Sequence, residues 1–186
     1  MEAFLISTGI VALAEIGDKT QLLALVLATR FRKPLPIIAG ILIATLLNHG
    51  LAGALGAWIT QLLGPDILRW VVGVSFLGMG LWTLVPDKLD DDEADTAKQM
   101  GAFAATLIAF FLAEMGDKTQ IATVALAARF DSLLAVVSGT TLGMLLANVP
   151  VVLFGDALTK RIPLPIVHRV AAAVFVILGL LTLMPT

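Results

Sequence analysis

The seven residues Glu15-Ile16-Gly17-Asp18-Lys19-Thr20-Gln21 recur as Glu114-Met115-Gly116-Asp117-Lys118-Thr119-Gln120, with only the second position changed. Each copy carries two carboxylates three positions apart, a lysine, and the neutral oxygens of a threonine and a glutamine. If the segment is helical, this spacing puts Glu15 and Asp18 on one face, and Gln21 continues that face. Bringing the two copies together would assemble Glu15, Asp18, Glu114 and Asp117 around one metal ion, with Thr20, Gln21, Thr119 and Gln120 as secondary oxygen donors. Gly17 and Gly116 lower helix propensity at the centre of each motif, and a local backbone opening that exposes carbonyl oxygens is expected there.

What the chain lacks bounds the ligand chemistry. It has no cysteine and two histidines, so thiolate sites, redox switches and clustered-imidazole sites are excluded. Hard cations fit the oxygen set best. Ca2+ takes about 6–8 oxygens and Mn2+ about six, whereas Zn2+ and Cu2+ recruit His or Cys and Mg2+ dehydrates reluctantly. Without metal, four carboxylates held close together repel one another, and protons relieve that repulsion. Protonation can therefore replace the metal, which gives cation/proton exchange with no further group and no resident cofactor. Lys19 and Lys118 either pair with the empty site or turn toward water; the sequence leaves both open.

The setting of the motifs makes these charges costly. Residues 4–14 and 22–28 flank the first copy with apolar sequence, and 103–113 and 121–128 flank the second. An ionised residue at the centre of a membrane helix costs about 2.5–3.5 kcal/mol on insertion scales, so these groups must be paired, protonated or metal-bound. Hydrophobic residues make up 59% of the 186 positions and mean hydropathy is +0.98. The class is therefore an all-α integral membrane protein in contact with lipid. The basic residues form no stripe, so no nucleic-acid partner is implied. Ala12-Leu13-Ala14 has the look of a signal-peptidase site, but Met1-Glu2 offers no basic leader. Cleavage is not expected.

Six apolar runs, at about 3–29, 35–62, 67–84, 101–128, 133–158 and 165–183, predict six transmembrane helices. Pro34, Pro36, Pro65, Pro86, Pro163 and Pro185 stand at the joints. The 99-residue offset that superimposes the motifs also pairs Gly40 with Gly139, Gly56 with Gly155, Phe76 with Phe175 and Pro86 with Pro185. The chain thus reads as repeat one (1–86), an acidic linker (87–100) and repeat two (101–186). Three spans per repeat is an odd number, so the repeats must be inverted with respect to each other.

Arg30, Arg32, Lys33, Lys88, Lys98, Lys160, Arg161 and Arg169 fall on one side of this layout, against Arg69 and Arg129 on the other. The positive-inside rule makes the first side cytoplasmic, with both termini outside and the linker inside. Trp58 and Trp70 suit an interfacial belt at the outer joint. Within the second and fifth spans, Asn48, His49 and Asn148 either complete the site or its gates, or bond neighbouring helices. The offset places His49 opposite Asn148. The run Asp90-Asp91-Asp92-Glu93 reads as a solvated linker, and Pro150 is expected to kink the fifth span.

The duplicated Glu-x-Gly-Asp-[Lys/Arg]-[Thr/Ser] pattern, matched by Glu15–Thr20 and Glu114–Thr119, resembles that of the second calcium:cation antiporter family. That family includes Golgi calcium/manganese transporters and bacterial manganese exporters. The resemblance covers essentially the whole chain and implies transport of Mn2+ or Ca2+ against protons, with the motif acids as ion ligands. A small chain with no targeting extension suits a bacterial inner membrane, and hence Mn2+ efflux. Two rivals have other chemistry. A small-solute exporter of the amino-acid type shares the span count but needs a cationic or helix-N-terminal site for its cargo. An intramembrane aspartyl protease uses paired aspartates but has no use for the duplicated Glu, Lys and Thr, and an enzyme is not expected.

Overall fold

The structure is a computed structural model that describes residues 1–85, 100–155 and 164–184. Pro86, the linker through residue 99 with its acidic run, Asp156, Lys160, Arg161, Pro163 and Pro185 lie outside the described residues. The described residues form eight α-helices and no strand. These are α1 (Glu2–Glu15), α2 (Lys19–Phe31), α3 (Pro34–Leu62), α4 (Pro65–Trp82), α5 (Ala102–Glu114), α6 (Lys118–Arg129), α7 (Leu133–Phe154) and α8 (Leu164–Leu183).

The local causes of these helices are legible in their ends. Proline opens α3 and α4, where its missing N–H has no helical partner to lose. Ser132 caps α7 by accepting from the Ala135 N–H at 3.3 Å. Three described helices are long and apolar enough to cross a bilayer: Pro34–Leu62, Leu133–Phe154 and Pro165–Leu183. α7 continues as helix through Pro150. The expected first and fourth spans are each divided, α1 from α2 and α5 from α6, and both interruptions fall on the acidic motif.

Packing exchanges elements between the two halves. α1 lies along α7 and α5 lies along α3, while α4 pairs with α8. Glycines permit the closest of these approaches. A Cβ on Gly139 would stand 2.5 Å from the Phe4 carbonyl oxygen, and one on Gly40 would stand 3.0 Å from that of Phe103, its counterpart at the 99-residue offset. Phe76 stacks on Phe175, another offset pair, with ring centroids 6.4 Å apart.

The distribution of side chains is that of a protein solvated by lipid. Leu47, Leu51, Leu146, Leu153, Ile177 and Leu181 point outward, whereas Glu15, Asp18, Glu114, Asp117 and Lys118 are buried. In water such an arrangement would expose apolar surface and dehydrate charge. In a bilayer the outward leucines are in their own solvent, and the interior charges must satisfy one another.

Candidate functional site

The motif is a turn between two helices, not a helical turn. Ile16 is extended at φ −65° and ψ 114°, Gly17 takes φ +86°, and the Asp18 N–H donates to the Glu15 carbonyl at 3.1 Å. The second copy repeats this with Met115 at φ −63° and ψ 118°, Gly116 at φ +77°, and Asp117 N–H to Glu114 O at 3.1 Å. This is the pattern of a type II β-turn, which requires φ > 0 at its third residue and therefore favours glycine there. The helical reading of the Glu15–Asp18 spacing is thus replaced, and the helices are interrupted at the glycines. A β-turn also brings its first and fourth residues together, and Glu114 and Asp117 of the second copy do lie close, whereas Asp18 of the first copy is not among the acids that meet.

Each turn is held by its own glutamine. The Gln21 Oε1 accepts from Gly17 N–H at 2.9 Å, and its Nε2 donates to the Ala147 carbonyl at 2.8 Å. Gln120 Oε1 accepts from Gly116 N–H at 2.7 Å, and its Nε2 donates to Asn48 Oδ1 at 3.4 Å. Both amides therefore brace the turn against the opposite half, a role different from the oxygen donation expected of them. Gln21→Leu should lower stability by about 1–3 kcal/mol, since buried donors and acceptors lose their partners. Gln120→Leu should cost less, because Gly116 is exposed and water can replace the lost acceptor. Thermal unfolding of the purified variants in detergent would check the order.

The turns bring helix ends to the middle of the molecule. α1 and α5 terminate at Glu15 and Glu114, so their negative dipole ends lie at the site and favour a cation. α2 and α6 begin beside Asp18 and Asp117, where a positive helix end favours carboxylates. Neither aspartate caps its own helix with its side chain.

Three of the four motif acids meet. Glu15, Glu114 and Asp117 each place a carboxylate oxygen within 4.8 Å of the others, and all three are buried. Donor bonds of about 2.0–2.6 Å allow two ligands of one ion to stand up to about 5 Å apart, so the cluster is of a size for one cation. Glu15 Oε1 and Glu114 Oε1 are buried without a hydrogen-bond partner. The other oxygens are oriented by the threonines. Thr20 Oγ1 donates to Glu15 Oε2 at 2.5 Å, and Thr119 Oγ1 donates to Glu114 Oε2 at 3.0 Å with a longer contact to Asp117 Oδ2 at 3.4 Å.

The lysines cross between the copies. Lys118 Nζ donates to Asp18 Oδ1 at 2.9 Å with both side chains buried, while Lys19 Nζ stands 3.9 Å from Asp117 Oδ1 and its side chain is 18% exposed. One pair is closed and the other loose. The same asymmetry shows at the turns, where Met115 and Gly116 are exposed but Ile16 and Gly17 are half-buried. His168 Nε2 on α8 lies 3.1 Å from the Ile16 carbonyl oxygen. His168 was not among the residues the sequence singled out, and no local pattern marks a residue that meets a carbonyl so far away in the chain.

The long helices contribute the remaining polar groups. Asn48 Nδ2 donates to the Phe111 carbonyl at 3.0 Å, and Asn148 Nδ2 donates to the Met144 carbonyl at 3.1 Å. His49 is fully buried, with Nε2 3.9 Å from Glu114 Oε2. Asn48 and Asn148 thus hold backbone, and His49 faces the acid cluster.

Comparison with known proteins gives the family. The profile of the family described as "Divalent cation/proton antiporter GDT1" matches residues 3–91 and 102–186. A Vibrio cholerae protein named "Putative manganese exporter" is 56% identical over 98% of this chain and 90% of its own length. "GDT1-like protein 5" of Arabidopsis thaliana is 30% identical over 99% of the chain and 96% of its own. "GDT1-like protein 3" of Oryza sativa is 27% identical over 94% and 71%. No solved structure matches. A family of cation/proton antiporters has no place for proteolysis, so the enzyme alternative falls. Apolar helices around a buried acidic centre, and a profile match that runs through both copies of the motif, have one source: the chain belongs to the GDT1 family of divalent cation/proton antiporters, membrane transporters and not enzymes.

Proposed function

We propose that this protein exports Mn2+ from the cytoplasm of a bacterium in exchange for protons, with Ca2+ as the competing substrate. The observation that carries this reading is the meeting of Glu15, Glu114 and Asp117, drawn from both copies of the motif, within 4.8 Å in a buried centre. Glu15, Asp18, Glu114 and Asp117 act as metal ligands and proton acceptors. Lys19, Lys118, Thr20 and Thr119 orient those acids, Gly17 and Gly116 open the backbone, and Gln21, Gln120, Asn48, His49 and Asn148 complete the surroundings. The manganese exporter name of the Vibrio relative favours Mn2+ within the family's divalent range, and the oxygen-rich donor set accepts it as it does Ca2+.

In this reading the chain is two inverted three-span repeats, 1–86 and 101–186, joined by a cytoplasmic acidic linker at 87–100. Both termini face outward from the inner membrane. The divided helices α1–α2 and α5–α6 serve as the first and fourth spans, a discontinuous-helix plan suited to transporter midplanes. The exchange of packing partners between halves supports the repeat.

The unequal lysine pairs supply a mechanism for alternation. With Lys118 closed on Asp18, Asp117 is left to the cluster of Glu15 and Glu114. Rocking one repeat against the other exchanges these roles: Lys19 closes on Asp117, and Asp18 joins the two glutamates. Each state then holds three carboxylates for one cation, and protons replace the metal on the return.

Reconstituted vesicles with an imposed pH gradient test the exchange. Mn2+ should move against the proton flow, and collapse of the gradient by a protonophore should stop net accumulation. Mn2+ movement with no matching proton movement would refute exchange, and transport of amino acids in place of metal would favour the small-solute rival.

A further inference from the structure

We propose that His49 supplies an imidazole nitrogen ligand to the transported cation and sets the preference for Mn2+ over Ca2+. This rests on the reading of the carboxylate cluster as the transport site. His49 sits mid-way along α3, is 0% exposed, and has neither Nδ1 nor Nε2 in a hydrogen bond. A buried polar ring left without a partner is costly, and native interiors rarely tolerate it. The ring nevertheless stands at the edge of the acid cluster, with Nε2 3.9 Å from Glu114 Oε2. That is the separation of two donors on one ion, too long for a hydrogen bond between them. A cation of this cluster held on the Glu114 Oε2 side would give the imidazole the partner that the protein does not.

The pseudo-symmetry points the same way. At the 99-residue offset His49 faces Asn148 on α7, also fully buried, whose Oδ1 has no hydrogen-bond partner. The repeats match almost residue for residue through the motif, yet at this position one supplies nitrogen and the other an amide. All-oxygen sites suit Ca2+ and Mg2+ as well as Mn2+, whereas an imidazole favours transition metals over the alkaline earths. One nitrogen among carboxylates tilts the site toward Mn2+ without making it the multi-histidine site that Zn2+ or Cu2+ recruits.

Pulsed EPR of the Mn2+-loaded full chain reads the ligand directly, and Mn2+/Ca2+ competition in vesicles reads its consequence. Wild type should show 14N modulation from a coordinated imidazole, which His49→Asn removes and His168→Ala, the variant of the other histidine, retains. His49→Asn should also lower the Mn2+-over-Ca2+ preference about tenfold. Mn2+ that binds, is lost in Glu114→Gln, and shows no 14N modulation in wild type would overturn the His49 assignment while leaving the acid site standing. Mn2+ binding that is indifferent to Glu114→Gln would overturn both. The wild-type and His168→Ala spectra together decide the matter even if His49→Asn does not fold.

Discussion

Glu114→Gln is expected to reduce proton-driven Mn2+ flux at least about 100-fold, and Glu15→Gln to do the same. Glutamine keeps the shape of the side chain and an oxygen to accept the Thr119 or Thr20 hydroxyl. It lacks the negative charge and the site for an exchangeable proton. Loss of one carboxylate from a cluster of three weakens both half-reactions, and a combined penalty of about 3 kcal/mol corresponds to about two powers of ten. Folding should survive, because a neutral amide is less costly to bury than a carboxylate. Glu2→Gln, at an exposed position on the same helix as Glu15, should transport like wild type. Radioactive or fluorescent Mn2+ flux in vesicles, with thermal unfolding as the control for folding, separates the outcomes. A Glu114→Gln protein that transports within a few-fold of wild type would remove the acids from the mechanism.

Much of this site was legible in the sequence because duplication exposes it. The 99-residue offset named the residues, and the absence of cysteine set the ligand type. The acids' position inside apolar runs pointed to their burial. The local geometry was harder to read. A three-residue spacing fits a helical face and also fits the ends of a β-turn, and periodicity alone does not separate them. Gly17 and Gly116 were the clue, since a positive φ at the third turn position is a glycine signature. The roles of Gln21 and Gln120 depended on that choice, because in a turn the amide oxygen is needed by the glycine N–H.

Other features need the folded chain. Nothing in either copy says that Lys118 reaches Asp18 and not its own Asp117, or that His168 approaches Ile16; these are meetings of segments far apart in sequence. The repeats also suggest equivalence, whereas the conformation is unequal. Under the proposed alternation this is one of two states, and the near-identity of the two copies does not say which of them is seen.

That inequality makes the two lysines separable by experiment. Lys118→Met withdraws the cation from a buried carboxylate 2.9 Å away and should cost about 3–5 kcal/mol, a fall in unfolding temperature on the order of 10 °C. Lys19→Met touches a 3.9 Å pair with an exposed edge and should cost about 1 kcal/mol or less. Adding Asp18→Asn to Lys118→Met should restore most of the stability, because the pair is then absent and no longer broken. Transport should follow a different order. If the lysines take turns, Lys19 is spare in the observed state and essential in the opposite one. Lys19→Met should then bind Mn2+ and remain folded, yet fail to carry the ion across. Stability that falls equally in both variants, or a Lys19→Met protein that transports normally, would mean that the lysines serve only as internal counter-ions and that alternation is driven elsewhere.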